Sequence, residues 1–435
     1  MIMKKTYYLI TIGCQMNKAD SERLSAFLEA QGFKNKFDFR SGAGLVIINT
    51  CSIRQSAEDR LYGLINQIKK DNPVAKIVVT GCLSKRPDVL KRLEDRVDLF
   101  MPINETPNIL DLLDKREIKT KLSLDEVRLL QGEKYLGIVP KYQSKISALV
   151  PIGNGCNNFC SYCVVPYARG REVYRPSKEI LSEVKALIAS GYKEIILIAQ
   201  NVNSYHDKKV RFPELLRKLA VIKGDFWIRF SSSHPKDVSS ELIKVIGENK
   251  KVCPHLHLAL QSGDDKILQA MNRKYTVSHF LDVVARIRQA RPQIAVTTDV
   301  IIGFPGENKS QFNNTIKLFK ATNFDLAYVS RYSPRPGTAS YNLKDDVSVE
   351  EKKRREAEVE KIIKQTALAN SNKYIGRTEK VLIEGVNKRG FYYGKTGSYK
   401  VVVIDGPASQ KKIGVFAAVS IYKATAFKLY GKLAG

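Results

Sequence analysis

Three strand-like runs near the start of the chain each lead into a cysteine, a pattern few folds can accommodate. Tyr7–Ile12 leads to Gly13-Cys14, Leu45–Ile48 to Asn49-Thr50-Cys51, and Ala75–Val79 to Thr80-Gly81-Cys82. Amphipathic stretches such as Ser21–Glu29 and Ala57–Lys69 lie between them. Strand and helix therefore alternate, which is the pattern that builds a parallel sheet. Every strand of such a sheet ends on one edge, where open α/β folds bind their ligands. The fold thus gathers Cys14, Cys51 and Cys82 from distant positions, enough for a three-cysteine cluster site. Read singly, each is equally well a small buried hydrophobe. Their recurrence at equivalent places speaks for the site.

A second triplet is local. Cys156, Cys160 and Cys163 lie in Gly155-Cys-Asn-Asn-Phe-Cys-Ser-Tyr-Cys and account for three of the chain's seven cysteines. Thiolates at this spacing can wrap one face of a cubane iron–sulfur cluster and leave its fourth iron without a protein ligand. An open iron must bind something else, which points to chemistry rather than passive electron transfer. Structural zinc is the first rival, but it needs a fourth ligand, and the next histidine is His206. A disulfide framework fits poorly, because seven cysteines in 435 residues is an odd and small count.

At 435 residues the chain can hold two or three domains. An apolar fraction of 43% and a charged fraction of 27% describe an ordinary folded protein. The start, Met-Ile-Met-Lys-Lys-Thr-Tyr-Tyr-Leu-Ile, lacks a long apolar region and a small-residue cleavage site, so it reads as a first strand, not a signal peptide. With no apolar run of about 18 residues to span a membrane, a cytoplasmic protein is expected. The formal net charge of +28 points to a polyanionic partner. Charge alone does not separate tRNA from rRNA, DNA or an acidic protein, and a generally cationic surface is the plainer reading.

Four segments follow. Residues 1–113 form the first α/β unit, and the charged stretch 114–145 reads as a connector with one short helix. Residues 146–371 repeat strand and helix six times. The strand candidates are Ser147–Ile152, Glu194–Ala199, Phe226–Phe230, His255–Ala259, Ile294–Ile302 and Asp325–Ser330. Six alternations fit a closed or partial (β/α) barrel whose active edge is the strand C-termini, and the cysteine triplet directly follows the first of them. The charged helix Val349–Asn370 is expected to cover the end of this unit. From residue 372 to 435 the chain carries 12 Lys or Arg against 3 Asp or Glu, in short glycine-punctuated strands. A small β-barrel is expected. Its surface, with Lys388, Arg389, Tyr392, Tyr393, Lys395 and Tyr399, could hold a phosphate backbone and stack on bases. A plain capping module is the alternative.

Cys156-Asn-Asn-Phe-Cys160-Ser-Tyr-Cys163 matches the CxxxCxxC signature of radical S-adenosylmethionine (SAM) enzymes. Its continuation, Val-Val-Pro-Tyr-Ala-Arg-Gly-Arg (164–171) with Arg175-Pro176, resembles the methylthiotransferases within that superfamily. Gly13-Cys14-Gln15-Met16-Asn17 with Asp20-Ser21-Glu22, Asn49-Thr50-Cys51 with Arg54, and Gly81-Cys82 resemble that family's amino-terminal domain. Gln200-Asn201-Val202-Asn203-Ser204-Tyr205 resembles the branch that modifies tRNA beside the anticodon, and the C-terminal unit resembles a TRAM RNA-binding domain.

The resemblance implies a radical-SAM partial TIM-type barrel between an open parallel α/β domain and a TRAM barrel. It also implies two [4Fe-4S] clusters, both served by S-adenosyl-L-methionine. The cluster on Cys156, Cys160 and Cys163 would chelate SAM at its open iron and release a 5′-deoxyadenosyl radical on reduction. The cluster on Cys14, Cys51 and Cys82 would hold the sulfur to be inserted, methylated by a first SAM. The implied acceptor is C2 of N6-isopentenyladenosine 37 in a tRNA anticodon stem-loop. A reducing electron-donor protein, a sulfur donor and a monomeric state come with the resemblance.

Gln200, Asn201, Ser231, Ser232, Gln261-Ser262-Gly263, Arg273, and Thr298-Asp299 with Gly303-Phe304-Pro305-Gly306-Glu307 match family positions around SAM. Gly303 and Gly306 could equally form turns, and Ser232 could cap a helix. Arg335, in Tyr332-Ser333-Pro334-Arg335-Pro336-Gly337-Thr338, could meet RNA, and Cys253 reads as a lone buried thiol. Tyr167-Ala168-Arg169-Gly170-Arg171 also resembles the branch acting on N6-threonylcarbamoyladenosine 37. A third branch modifies an aspartate of a ribosomal protein. An RNA-binding scaffold with structural metal sites is the non-enzymatic alternative.

Overall fold

The computed structural model describes residues 4–51, 55–115, 132–406 and 412–434. Five parallel strands form the first sheet: β1 (Thr6–Thr11), β2 (Lys34–Asn35), β3 (Leu45–Thr50), β4 (Lys76–Gly81) and β5 (Leu99–Phe100), in the order β2-β1-β3-β4-β5. Strands β3 and β4 are buried at nearly every position because helices cover both faces of the sheet. The first helix, α1, runs Gln15–Ala30 and starts a turn and a half before the amphipathic stretch read from the sequence. Its opening turns bury Asn17, Asp20, Ser21, Glu22 and Arg23, so polarity there does not mark a solvent face. Of the connector 114–145, residues 116–131 lie outside the described residues, and its short helix is Gly132–Leu136.

Two parallel three-stranded sheets follow. The first holds β6 (Ser147–Pro151), β9 (Glu194–Ile198) and β12 (Trp227–Phe230) in the order β12-β9-β6. The second holds β13 (His255–His257), β14 (Ala295–Ile302) and β15 (Leu326–Arg331) in sequence order. Isolated parallel bridges Ile228–Val252 and Ser233–Leu258 join β12 to the β13 region. The six strands thus curve into a half-closed barrel, as the six alternations led one to expect. Two short hairpins decorate it: β7 (Gly153–Asn154) with β8 (Val173–Tyr174), and β10 (His206–Asp207) with β11 (Val210–Arg211). The helix Val349–Asn372 packs on β15 and on the helix Lys309–Thr322, covering the last strand.

Alternation along the strands assigns their two faces. Ala148, Val150, Ile195 and Leu197 pack outward against the helices, whereas Leu149, Ile196 and Ile198 face the lumen. There they meet Met16 and Ala19 of α1. The N-terminal helix therefore enters the mouth of the half-barrel and brings Cys14 with it.

The chain ends in a closed barrel of β16 (Thr378–Val386), β17 (Tyr392–Thr396), β18 (Val401–Asp405), β19 (Phe416–Ala424) and β20 (Lys428–Leu433), ordered β16-β17-β18-β20-β19. The sequence reading had four of these strands; β20 escaped it because its glycine and lysines dilute the apolar alternation. This barrel seats on the floor of the central one. Trp227 stacks on Phe416, with ring centroids 4.7 Å apart, and Cys253 packs there with Leu382 as a buried thiol. Arg229 pairs with Glu194 at 2.8 Å and donates to the carbonyls of Gly397 and Thr396 at 3.0 and 3.4 Å, its guanidinium 4.3 Å from the Tyr399 ring centroid.

Removing the α1 contact in the lumen by Met16→Ala is expected to cost about 2–5 kcal/mol, the usual range for truncating a buried methionine. Chemical denaturation followed by tryptophan-independent circular dichroism checks this, and an unchanged first transition would contradict the packing described.

Candidate functional site

The three strand-end cysteines are stitched together by polar side chains. Cys14 caps α1, and its backbone NH and its thiol both reach Asn17 Oδ1, at 3.3 and 3.2 Å. The Asn17 amide donates to Asn49 Oδ1 at 2.9 Å and to the Thr50 carbonyl at 3.0 Å, immediately before Cys51. Asn49 returns a bond to the Asn17 carbonyl at 2.8 Å. Thr50 Oγ1 donates to the Thr80 carbonyl, and the Cys82 NH donates to the Thr50 carbonyl, both at 2.8 Å. Gly81 makes the last turn with φ +85°, where a Cβ would sit 2.3 Å from the Thr50 carbonyl oxygen. Only glycine fits both demands.

The second triplet hangs on a loop between β7 and β8. Gly155 opens it with φ +80°, and a Cβ there would meet the Arg171 carbonyl at 2.1 Å. Phe159 adopts φ +46°, a left-handed conformation strained for a phenylalanine, and is held by Arg171 over its ring and by Tyr167 at its edge. Ser161 donates twice to the 270–271 carbonyls, at 2.8 and 3.0 Å, and Asn272 donates to the Phe159 carbonyl at 2.8 Å. Arg273 lies 3.6 Å from Cys160 Sγ and donates to the Ala259 carbonyl at 2.5 Å. Strain and bonding together present Cys156, Cys160 and Cys163 in one rigid arc.

Burial governs the thiols. It pushes Cys156 up to about 11 and Cys163 further still, with Cys160 adding to the rise in Cys163. Cys14 is accessible at its sulfur yet hemmed in by protein, so burial raises it too, while Arg169 opposes the rise. Thiols of this kind give up their protons chiefly to a metal. Among the described residues no three His, Cys, Asp or Glu side chains converge as a single-ion site. Each triplet supplies three sulfurs and, among the described residues, no fourth protein ligand, the donor set of a cubane with an open iron.

The two triplets lie within electrostatic reach of each other. Cys82 lies within electrostatic reach of Cys163, and Cys14 within reach of Cys82. Arg169, six residues after Cys163, lies within reach of Cys82 and Cys14. Its Nη2 pairs with Asp20 of α1 at 2.6 Å and its Nη1 donates to Asn154 at 3.0 Å, with both partners of the ion pair out of solvent. Tyr135 donates its hydroxyl to the same Asp20 carboxylate. Burial disfavours the Arg169 charge, but Asp20, then Cys82 and Cys14, outweigh it and hold the guanidinium ionised.

The residues matched to SAM positions line this same mouth. Gln200 Oε1 and Asn201 Oδ1 are buried with no partner among the described residues, and buried acceptors of that kind await a ligand donor. The Asn201 amide donates to Asp237 at 2.7 Å, leaving its oxygen as the free end. Ser231 Oγ reaches Gln15 at 3.3 Å across the seam. Ser232 and Gln261 both take left-handed φ, +65° and +72°. Gln261 exchanges backbone bonds with Asp299 and Ile301, and Asp299 faces His257 at 2.9 Å. Gly263 packs under Thr315, whose Cα would lie 2.5 Å from an added Cβ. Gly303 and Glu307 serve packing: Glu307 accepts from the Gly303 NH at 2.8 Å and pairs with Arg355 at 2.9 Å. These placements suit a SAM molecule spanning the strand ends, with Arg273 beside the cluster cysteines.

The expected RNA-facing set needs correction. Tyr392 is 3% exposed and belongs to the core of the terminal barrel, so it offers no face to a base. Lys395 pairs with Glu384 at 2.9 Å and lies over the Tyr399 ring, which itself packs on Arg229 and His255 beneath the central barrel. Arg335 is 6% exposed and sits 3.5 Å from Glu58 of the N-terminal unit, within reach of Cys51. Lys388 and Arg389 do stand exposed, on the turn between β16 and β17.

Sequence reasoning passed over a lumen network in which His255 and His257 both meet Thr297 Oγ1, at 3.1 and 3.0 Å. The signal was there: His255-Leu256-His257 places two histidines at the strand period.

Replacing Gly81 by Ala is expected to remove the Cys14/Cys51/Cys82 site and leave about half the parent's iron after reconstitution, with SAM cleavage retained. Iron analysis with a 5′-deoxyadenosine assay checks this, and full iron loading would sink it.

Comparison with known proteins places these observations. Residues 150–319 match the radical SAM superfamily, residues 6–102 match uncharacterized protein family UPF0004, and residues 372–434 match the TRAM domain. The chain is 40% identical over 432 residues to tRNA-2-methylthio-N(6)-dimethylallyladenosine synthase of Endomicrobium trichonymphae, covering 98% of this chain and 99% of the relative. The enzyme of that name from Carboxydothermus hydrogenoformans is 38% identical, with 99% of each chain covered. Among solved structures, the radical S-adenosylmethionine methyltransferase TsrM of Kitasatospora setae aligns with TM-score 0.57 and 14% identity, over 77% of this chain and 75% of that one. That likeness speaks for the fold alone.

Proposed function

The chain belongs to the family of tRNA-2-methylthio-N(6)-dimethylallyladenosine synthases, and from that footing we propose that it transfers a methylthio group to C2 of N6-isopentenyladenosine 37 in tRNA. One observation carries the reading: two cysteine triplets come within electrostatic reach of each other at the mouth of a half-barrel, and Gln200 and Asn201 hold buried acceptors without a partner among the described residues. A single triplet would suit any radical SAM enzyme. Two suit a reaction that must generate a radical and supply sulfur at one carbon.

Cys156, Cys160 and Cys163 would hold one [4Fe-4S] cluster and Cys14, Cys51 and Cys82 the other. When bound, the clusters and SAM supply reductive cleavage of a sulfonium bond and a sulfur source, chemistry that no side chain offers at an unactivated aromatic C–H. The protein's part is placement. Gln200 and Asn201 accept from the cofactor's donors. Arg273, fixed on the Ala259 carbonyl and Tyr275, holds the Cys160 side of the site. The Asp299–His257 pair presents a polar lumen wall to the substrate base. Met16 and Ala19 fill the lumen beneath and exclude water from it.

The TRAM unit and the +28 charge support tRNA as the polyanion. With Tyr392 in the barrel core and Lys395 and Tyr399 half-buried, the grip rests on exposed cations such as Lys388 and Arg389, which gives backbone affinity without base reading. No helix of the described residues is long and apolar enough to cross a membrane. A cytoplasmic monomer that receives electrons from a reducing protein and sulfur from a separate donor completes the proposal.

Expression in cells lacking their own methylthiotransferases, followed by mass spectrometry of tRNA nucleosides, tests the assignment. The 2-methylthio-N6-isopentenyladenosine product is expected. Appearance of only the threonylcarbamoyl product would overturn the substrate. Cys160→Ala is expected to abolish SAM cleavage, whereas Cys51→Ala retains cleavage and loses the product.

A further inference from the structure

Both cysteine triplets belong to the mechanism, and a buried cation, Arg169, lies beside one of them. Arg169 is contributed by the barrel, while the sulfurs it reaches, Cys14 and Cys82, belong to the N-terminal unit. Its side chain is 2% exposed, and Asp20, its counter-ion, is fully buried. A pair that only joined two domains would need no cluster beside it and would gain little from burial, since desolvation offsets most of its attraction. Here the geometry is asymmetric. Asp20 is also claimed by Tyr135, which donates to it from the far side. The carboxylate charge is thus shared, and the guanidinium keeps a net positive field on its cluster side.

A cubane held by three thiolates is already net negative. A sulfide or methanethiolate on its open iron adds further negative charge in a region of low dielectric, where a nearby cation has its greatest effect. The geometry points to Arg169 as a positioning residue that stabilises the anionic, sulfur-loaded form of the Cys14/Cys51/Cys82 cluster, with Asp20 tempering its charge. This rests on the reading of that triplet as the sulfur-carrying site. Arg335, also from the barrel, lies within reach of Cys51 and gives a second cation beside this triplet. The barrel therefore supplies positive charge to the cysteines of the N-terminal unit. Sulfur loading becomes sensitive to whether the two units are docked.

The test separates electrostatics from mere docking by sign. In the full-length chain, Cys156, Cys160 and Cys163 are replaced by Ala so that reconstitution gives one cluster. Methanethiolate is then titrated against it, read by visible absorption and by EPR of the reduced cluster. Arg169→Met is expected to weaken methanethiolate binding about tenfold, and Arg169→Lys to stay within about threefold. Asp20→Asn, isosteric and still able to bond Tyr135, is expected to tighten binding, because it unmasks the Arg169 charge. If Arg169→Met and Asp20→Asn weaken binding alike, or neither changes it, the inference is overturned. If the reference protein with Arg169 intact forms no cluster or takes no methanethiolate, the reading of the triplet itself fails. Should Arg169→Met not fold, Asp20→Asn decides the matter: tightened binding supports the inference, and weakened or unchanged binding overturns it.

Discussion

The buried ion pair of Asp20 and Arg169 joins the two halves of the site, and much else depends on its being closed. Breaking one side of such a pair leaves an uncompensated charge in the interior, at a cost of about 3–5 kcal/mol. Asp20 lies on α1 six residues after Cys14, and Arg169 lies six residues after Cys163. One bond therefore sets where two sets of sulfurs stand relative to each other. Met16 and Ala19 supply apolar area on the same helix, packed on Ile196 and Ile198. Apolar contact gives the docking its strength, and the ion pair gives it direction.

The second seam works by similar means at the opposite end of the barrel. Arg229, paired with Glu194 and capped by Tyr399, holds the terminal barrel against the floor. Binding RNA and performing chemistry are thus assigned to opposite ends of one rigid unit. A tRNA held by the terminal barrel must extend along the central barrel for a base to reach the mouth. The seam contacts of Tyr399 and Lys395 make sense on this account: those half-buried side chains fix the angle of the module and leave the gripping to its exposed turn.

Much of this could be read from the sequence. The strand periodicity of β1, β3 and β4 and the six alternations of the barrel were plain because their cores are apolar on a regular period. The local triplet stood out because its cysteine spacing carries metal chemistry directly, and the distributed one because its cysteines recur at the ends of parallel strands. Other features were hidden for physical reasons. The first turns of α1 bury Asn17, Asp20 and Arg23, so hydrophobic periodicity reports nothing there. Tyr392 and Lys395 look like an RNA surface in sequence, but alternation along a closed barrel turns the tyrosine inward. Arg335 resembles a surface cation until the fold sets it against Glu58. In each case an amphipathic side chain changes its role with the face on which it lies, and short basic strands do not declare their faces.

The central claim is that the two triplets hold clusters that face each other across the α1 seam. Low-temperature EPR of the fully reconstituted, fully reduced enzyme tests it most directly, set against the spectra of the two single-cluster variants. The account predicts a spectrum altered by spin–spin interaction that the sum of the single-cluster spectra does not reproduce. A spectrum equal to that sum, with relaxation unchanged, would contradict it.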